Sequence, residues 1–271
     1  MCGSHSQDWR TIVRNSARNL ATIAVGVGSY LLFLVTTLYA LSFTLGGLLP
    51  LPFALPSAPL MLALLIDVGL IALFGVQHSL MARAGWKQWW TSIIPPALER
   101  SIYVLSSSCV LLALFWFWQP ISTVIWRIDT PLFRAGVYGV CLVGWGIVFL
   151  ATFQIDHFEL FGLRQVWRAI HQQPPMKATF RRPFLYQFVR HPLMVGFLLA
   201  FWATPLMTVD RLLFALGMTL YILIGISFEE RSLRRELGQV YEQYQAETPR
   251  LLPFGKPSRV RSEKPATPAG R

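Results

Sequence analysis

The sequence is poor in charge, and in acidic residues above all. Asp and Glu together number 13 in 271 residues, and charged residues make up 14% of the chain while hydrophobic residues make up 54%. Soluble domains carry roughly a quarter charged residues, so this composition excludes an ordinary soluble globular protein. It predicts an integral membrane protein with lipid-facing apolar surface.

Cysteine is also scarce, and several common motifs are missing. The three cysteines, Cys2, Cys109 and Cys141, form no C-x-x-C pair, so neither a disulfide framework nor a zinc site is predicted. The chain has no glycine-rich phosphate loop and no internal repeat, which excludes soluble nucleotide-binding folds. We expect no metal cofactor.

Apolar runs long enough to approach the roughly 30 Å of a bilayer core are the main feature that is present. They cover residues 20–45, 60–80, 101–119, 134–153, 192–208 and 211–228, of which the last two are short. We therefore predict an all-α integral membrane protein with about six transmembrane helices. The domain division expected is a cytoplasmic segment 1–19, a transmembrane domain 20–253 and a disordered basic tail 254–271.

The basic residues are distributed unevenly around these runs. The net charge is +11, and 21 of the 24 Lys and Arg residues lie before run one, between runs two and three, between runs four and five, or after run six. The alternate connections hold only Arg127, Arg134 and Arg211. By the positive-inside rule both termini are cytoplasmic, in a bacterial inner membrane. The charge thus indicates orientation, and no nucleic-acid partner is predicted.

Polar residues next to the fifth run are the first candidates for chemistry. Arg190 and His191 directly precede Pro192, which suits the first turn of a helix. The amino-terminal end of a helix favours an anion. Arg190 and His191 therefore indicate an anion-binding position.

The sixth run carries a stripe at steps of four residues, formed by Gly217, Tyr221, Gly225 and Glu229. A stripe of this kind predicts a groove into which the Glu229 carboxylate points. Glu230 lies about 100° further round the helix and could instead pair with a basic loop. The plainer interpretation is a glycine-mediated helix contact that ends in interfacial acids.

After the sixth run, Tyr241 and Tyr244 fall on one face of an expected interfacial helix; alone they would indicate an aromatic belt. Together, the anion position, the carboxylate and the aromatic faces fit S-adenosylmethionine, whose carboxylate needs a cation and whose sulfonium is favoured beside aromatic rings and acids. We expect a cytoplasmic-side cofactor pocket formed by the C-terminal helices.

The chain resembles a known superfamily at these positions. The stretches "RHPLMVG", "EERSL" and "GQVYEQYQAETPRLLP" resemble the cofactor-binding region of the isoprenylcysteine carboxyl methyltransferase superfamily. The stretches "FGVQHSLMARAGWKQWW" and "DHFELFGLRQVW" resemble the membrane-bound methanethiol S-methyltransferases, which overlap with NnrU-like proteins. The likeness covers roughly residues 20–253.

This resemblance implies methylation of methanethiol to dimethyl sulfide with S-adenosylmethionine as the cofactor. It places the following residues at or near the cofactor: Arg190, His191, Gly196, Glu229, Glu230, Tyr241 and Tyr244, with Tyr186 and His157 from the preceding loop. Met194 departs from the aromatic residue often found there, which leaves the packing beside the adenine open.

A thiol substrate raises the question of ionisation, because the thiolate is the nucleophile and a thiol with a pKa of about 8.5 or above is mostly protonated at neutral pH. Candidates for accepting the proton are His78, His157 and Glu229, and Arg190 could stabilise the negative charge. These residue types support acid–base chemistry without a metal.

Other functions stay open at this point. The chain could methylate another thiol, or a lipid-borne thiol or carboxylate, which would need a lateral opening between helices. It could be a non-catalytic NnrU-like membrane protein without affinity for S-adenosylmethionine, or a membrane reductase that binds a nicotinamide cofactor. The sequence does not fix the oligomeric state.

Overall fold

A computed structural model describes residues 4–50, 58–174 and 180–254, with side chains from residue 17 onward. Most of the described backbone is helical. The helices are α1 (Ser4–Thr44), α2 (Leu60–Met81), α3 (Ala84–Thr91), α4 (Glu99–Phe117, after a 3-10 turn at Pro96–Leu98), α5 (Pro131–Ile155), α6 (His157–Leu160), α7 (Leu163–Ile170), α8 (Phe184–Phe188), α9 (Pro192–Trp202), α10 (Val209–Leu237) and α11 (Gln239–Glu247). Two short strands, β1 (Val124–Arg127) and β2 (Leu206–Thr208), pair antiparallel.

Five helices of the described residues are long and apolar enough to cross a membrane, namely α1, α2, α4, α5 and α10. Large apolar side chains are exposed along them, among them Leu65 (70%) and Leu132 (77%). Such a surface is stable in lipid and not in water. The membrane-protein class predicted from composition is confirmed in this coarse form, and the small β1–β2 ribbon is the one departure from an all-α chain within the described residues.

The fifth predicted span is not a spanning helix. Helix α9 has 11 residues and is about 16 Å long, roughly half of a bilayer core. The chain then runs extended through Pro205, which has no N–H to donate and disfavours helix at the residue before it. The extended backbone is satisfied by the neighbouring β1 segment, since Ile128 N donates to Pro205 O at 2.8 Å and Trp126 Nε1 donates to Thr204 O at 3.1 Å. The prediction that the sixth span is short is also wrong, because α10 has 29 residues.

Helix α9 is held against α5 by two glycines. A Cβ built on Gly196 would lie 2.6 Å from Gly144 O, and a Cβ on Gly144 would lie 2.7 Å from Gly196 O. Only hydrogen fits at both positions, so the two backbones touch. Gly196 thus has a packing explanation that needs no cofactor, and this contact sets where the residues just before α9 lie.

The short helices gather at one end of the bundle. Helix α3 follows α2, helices α6 to α8 connect α5 to α9, and α11 follows α10, so their positions along the chain put them at the end where α2, α5 and α10 finish. Trp89 and Trp167 are exposed there, at 52% and 58%, as aromatic side chains often are at a membrane surface. This end carries the candidate site.

Replacing Gly144 with Ala should destabilise the protein, by about 1–3 kcal/mol as for other overpacked contacts. The added methyl group would meet the α9 backbone at 2.7 Å and 2.8 Å. Gly146 on the same helix has no atom within 4 Å of the position that an added methyl group would take, so Gly146→Ala is the matched control. Thermal unfolding in detergent should show a lower midpoint for Gly144→Ala alone; equal midpoints for the two variants would contradict the packing account.

Candidate active site

A buried carboxylate lies at the centre of this end of the molecule. Glu230 Oε1 accepts hydrogen bonds from Arg190 Nε at 2.9 Å and from His191 Nε2 at 3.0 Å, and Arg190 Nη2 approaches the same oxygen to 2.8 Å. All three residues are buried. The anion that Arg190 and His191 face is therefore a carboxylate of the protein itself.

Arg190 also fixes the end of α11 and the chain that follows it. Its Nη1 donates to Gln245 O at 3.0 Å and to Thr248 O at 2.7 Å, while the backbone N–H of Arg190 donates to Pro249 O at 2.9 Å. Four of the five guanidinium N–H groups therefore already have partners inside the protein. Arg190 therefore has one guanidinium N–H group left for the cofactor anion that the sequence predicts it to bind.

The second oxygen of Glu230 is held as well. Its Oε2 accepts from Arg250 Nη2 at 3.1 Å and from Gln245 Nε2 at 3.3 Å. Arg250 also donates to Ser227 Oγ at 3.3 Å, yet its buried Nε has no partner within the described residues. The network joins the residues before α9, the carboxyl-terminal part of α10, and α11 with the segment after it.

The stripe on α10 does not end as predicted. Its earlier members face α2: Gly217 meets Ile71, and the Tyr221 ring lies beside His78, with centroids 6.2 Å apart. The side chain of Glu229 is nevertheless 50% exposed, whereas that of Glu230 is 7% exposed. Glu229 lies beside His191, and its assignment to the cofactor stays a prediction, while Glu230 takes the alternative role of pairing with basic residues.

Glu229 instead borders a group of polar side chains, which we call the Glu229 face and define as Glu229, Tyr186, Tyr241 and the Nδ1 atom of His191. Glu229 is half exposed in it, whereas Tyr241 and His191 are buried. Glu229 Oε2 lies 3.6 Å from His191 Nδ1. Burial raises the pKa of the Tyr186 and Tyr241 phenols above the ordinary value, and the Glu229 charge raises both further. The phenols therefore stay protonated and can donate hydrogen bonds toward a ligand.

Tyr244 supports this face from behind. Its Oη donates to Tyr186 O at 2.6 Å, and the Arg182 guanidinium lies 4.7 Å from the centre of its ring. Burial raises the pKa of Tyr244 to about 12, so the hydroxyl remains a donor at neutral pH. The structure thus brings Tyr186, Tyr241 and Tyr244, all three predicted from the sequence, to one place.

His157 is not part of the Glu229 face, because both of its ring nitrogens bond residues elsewhere in the protein. Thr152 Oγ1 donates to Phe149 O at 2.7 Å, so it accepts from His157 Nδ1 at 2.9 Å, and His157 Nε2 must accept from Tyr30 Oη at 2.8 Å. Burial lowers the pKa of His157, which favours this neutral ring. Both nitrogens are engaged in joining α1 to the end of α5, and a further proton would break the bond from Tyr30.

His78 is likewise occupied. Its Nε2 lies 2.6 Å from Tyr103 Oη and its Nδ1 lies 3.1 Å from Ser107 Oγ. These contacts join α2 to α4 within the bundle. The prediction that His78 or His157 accepts the thiol proton remains untested, but each would first have to give up a hydrogen bond.

Comparison with known proteins identifies relatives along most of the chain. The methanethiol S-methyltransferase of Mycobacterium tuberculosis is 46% identical over 235 residues, which cover 86% of this chain and 96% of the relative. The methanethiol S-methyltransferase of Crocosphaera subtropica is 44% identical over 256 residues, covering 93% and 100%. The chain belongs to the methanethiol S-methyltransferase family. The resemblance to the methanethiol S-methyltransferases seen in the sequence motifs is thereby confirmed.

The family has a more distant membrane relative. Nurim of Bos taurus is 32% identical over 189 residues, which cover 67% of this chain and 72% of Nurim. No family model matches the chain, and no solved structure matches it.

Sequence reasoning missed three residues of the buried network in this methanethiol S-methyltransferase family member: Gln245, Thr248 and Arg250. The motif "GQVYEQYQAETPRLLP" contains all three, so the signal was present. Gln245 and Arg250 bond Glu230 with their side chains, whereas Thr248 accepts from Arg190 through its backbone carbonyl, and a carbonyl leaves no trace in residue type.

Replacing Arg190 with Ala should destabilise the fold by about 3–5 kcal/mol, because it leaves the buried Glu230 without its main cation. The half-exposed pair of Arg182 and Glu247, 2.7 Å apart, offers the control, and Arg182→Ala should change stability little. Thermal unfolding in detergent distinguishes the two. An Arg190→Ala protein as stable as Arg182→Ala would refute the structural role.

Proposed function

We propose that this protein transfers a methyl group from S-adenosylmethionine to methanethiol and releases dimethyl sulfide. The observation that carries the proposal is the 44–50% identity to proteins named methanethiol S-methyltransferase, which extends over 93% of the chain in one case. S-adenosylmethionine supplies an electrophilic methyl group on a sulfonium ion. The residues of the protein have to bind that donor and present an ionised thiol to it.

The polar groups of the Glu229 face fit the cofactor. The half-exposed Glu229 carboxylate can accept hydrogen bonds from ribose hydroxyls or attract a sulfonium, and the partly exposed Tyr186 offers an aromatic face with a donating hydroxyl. Because the donors of Arg190 are largely used, Arg250 is the better candidate for the methionyl carboxylate, since its side chain is 37% exposed.

The buried network then has a supporting role in this proposal. Arg190, Glu230 and the carbonyl groups after α11 hold three separate chain segments in one arrangement, so that the Glu229 face keeps its shape when no ligand is bound. Preorganised groups of this kind bind and orient a reactant without having to rearrange.

We assign the reaction to the cytoplasmic side. The site lies at the end of the bundle that carries the connections rich in Lys and Arg, including Arg182 and Arg231, and such connections favour the cytoplasm. Supply of S-adenosylmethionine from the cytoplasm agrees with this orientation.

The test is dimethyl sulfide formation by membranes that contain the protein and are given both substrates. Wild type should form dimethyl sulfide, and Glu229→Gln should lose at least about tenfold in rate, since a charged hydrogen bond is worth about 1.5–3 kcal/mol. The control is Glu236, an exposed acid on the same helix whose Oε1 accepts a hydrogen bond from Ser232 Oγ at 3.0 Å. Glu236→Gln should keep the wild-type rate.

Wild-type membranes that form no dimethyl sulfide would refute the methanethiol assignment. Equal rates for Glu229→Gln and wild type would remove Glu229 from the site. Sealed vesicles separate the question of sidedness: S-adenosylmethionine added outside should support the reaction in inside-out vesicles and not in right-side-out vesicles.

A further inference from the structure

His191 differs from the other candidate histidines in having one ring nitrogen free. His78 and His157 each have hydrogen-bond partners at both nitrogens. In His191, Nε2 is 3.0 Å from Glu230 Oε1, but Nδ1 has no hydrogen-bond partner among the described residues, and Glu229 Oε2 at 3.6 Å is beyond hydrogen-bonding distance.

The Glu230 network fixes which nitrogen of His191 carries the proton. The Glu230 carboxylate also accepts hydrogen bonds from Arg190 and Arg250. It is therefore ionised and an acceptor, so His191 Nε2 must donate to it. A neutral imidazole with its proton on Nε2 has a lone pair on Nδ1. That lone pair lies on the side of the Glu229 face, since Nδ1 is 3.6 Å from Glu229 Oε2.

A buried carboxylate behind an imidazole is the arrangement that makes histidine an effective general base. The carboxylate holds the ring in one tautomer and stabilises the positive charge that forms when the other nitrogen takes a proton. Here the carboxylate of Glu230 is itself held by Arg190, Arg250 and Gln245. The dyad of His191 and Glu230 is therefore rigidly oriented before any substrate binds.

We propose that His191 Nδ1 accepts the thiol proton of methanethiol and that Glu230 is the positioning residue behind it; this inference rests on the proposed function. The S–H bond breaks, its proton moves to Nδ1, and its electron pair stays on sulfur as the thiolate. The imidazolium then lies between Glu230 and Glu229. Glu229 is half exposed and returns the proton to water.

The test compares two nucleophiles in the variant His191→Gln. The glutamine amide can donate to Glu230 in place of Nε2 but has no basic nitrogen. Methaneselenol has nearly the size of methanethiol and is a much stronger acid, so it is largely ionised at neutral pH and needs no base. His191→Gln should lose about 100-fold or more in the methanethiol rate and change little in the methaneselenol rate.

Two controls accompany this comparison. His171 is a histidine outside the site, with Nδ1 2.8 Å from Trp167 O, and His171→Gln should keep both rates. Calorimetric titration should show that His191→Gln binds S-adenosylhomocysteine with the same affinity as wild type. If His191→Gln does not fold, His191→Asn is measured instead; its amide likewise has no basic nitrogen, and it should show the same selective loss.

Other outcomes overturn the assignment. A full methanethiol rate in His191→Gln would show that His191 is not the base. Equal losses on both nucleophiles, with weakened S-adenosylhomocysteine binding, would make His191 a cofactor ligand. A wild type that methylates neither nucleophile would refute the proposed function itself, whereas a wild type active on both leaves that function standing whatever the variant does.

Discussion

The site of this protein depends on the cations and hydrogen bonds that compensate one buried negative charge, the carboxylate of Glu230. Glu230 is 5% exposed, and a carboxylate removed from water is stable only when cations and hydrogen bonds replace its hydration. Arg190 and His191, just before α9, and Gln245 and Arg250, in and after α11, supply them. The requirement to satisfy one carboxylate therefore brings together the start of α9, the end of α10 and the segment after α11.

Helix α9 gives this arrangement a fixed base. It is too short to cross the bilayer alone, and the glycine contact at Gly144 and Gly196 holds it directly against α5. Pro192 begins the helix, so Arg190 and His191 lie in the extended residues just before it, where their backbone N–H groups pair with the carbonyls of Pro249 and Arg250. Helix packing, backbone pairing and ion pairing thus all act on the same few residues.

Much of this was accessible from the sequence. Apolar runs predicted the five long helices, because hydropathy over some twenty residues is a strong signal, and Pro192 predicted where α9 begins. The motifs predicted the family that the relatives confirm. The proposed substrate also came from that resemblance, since nothing in composition or spacing distinguishes methanethiol from another small thiol.

Other features could not be predicted because they depend on where neighbouring elements end. The choice between Glu229 and Glu230 depends on which of the two carboxylates meets Arg190 and Arg250, and a one-position difference rotates a side chain by about 100°. The length of α9 depends on the pairing of β2 with β1, a contact between segments far apart along the chain. The pairing of Arg190 with carbonyl groups likewise depends on tertiary structure and not on residue type.

The most direct test of the account is an experimental structure of the protein with S-adenosylhomocysteine bound. We expect Arg190 and His191 to keep their contacts to Glu230 and the ligand to lie against Glu229, Tyr186 and Tyr241. A structure in which the Arg190 guanidinium leaves Glu230 and binds the carboxylate of the ligand would contradict this expectation.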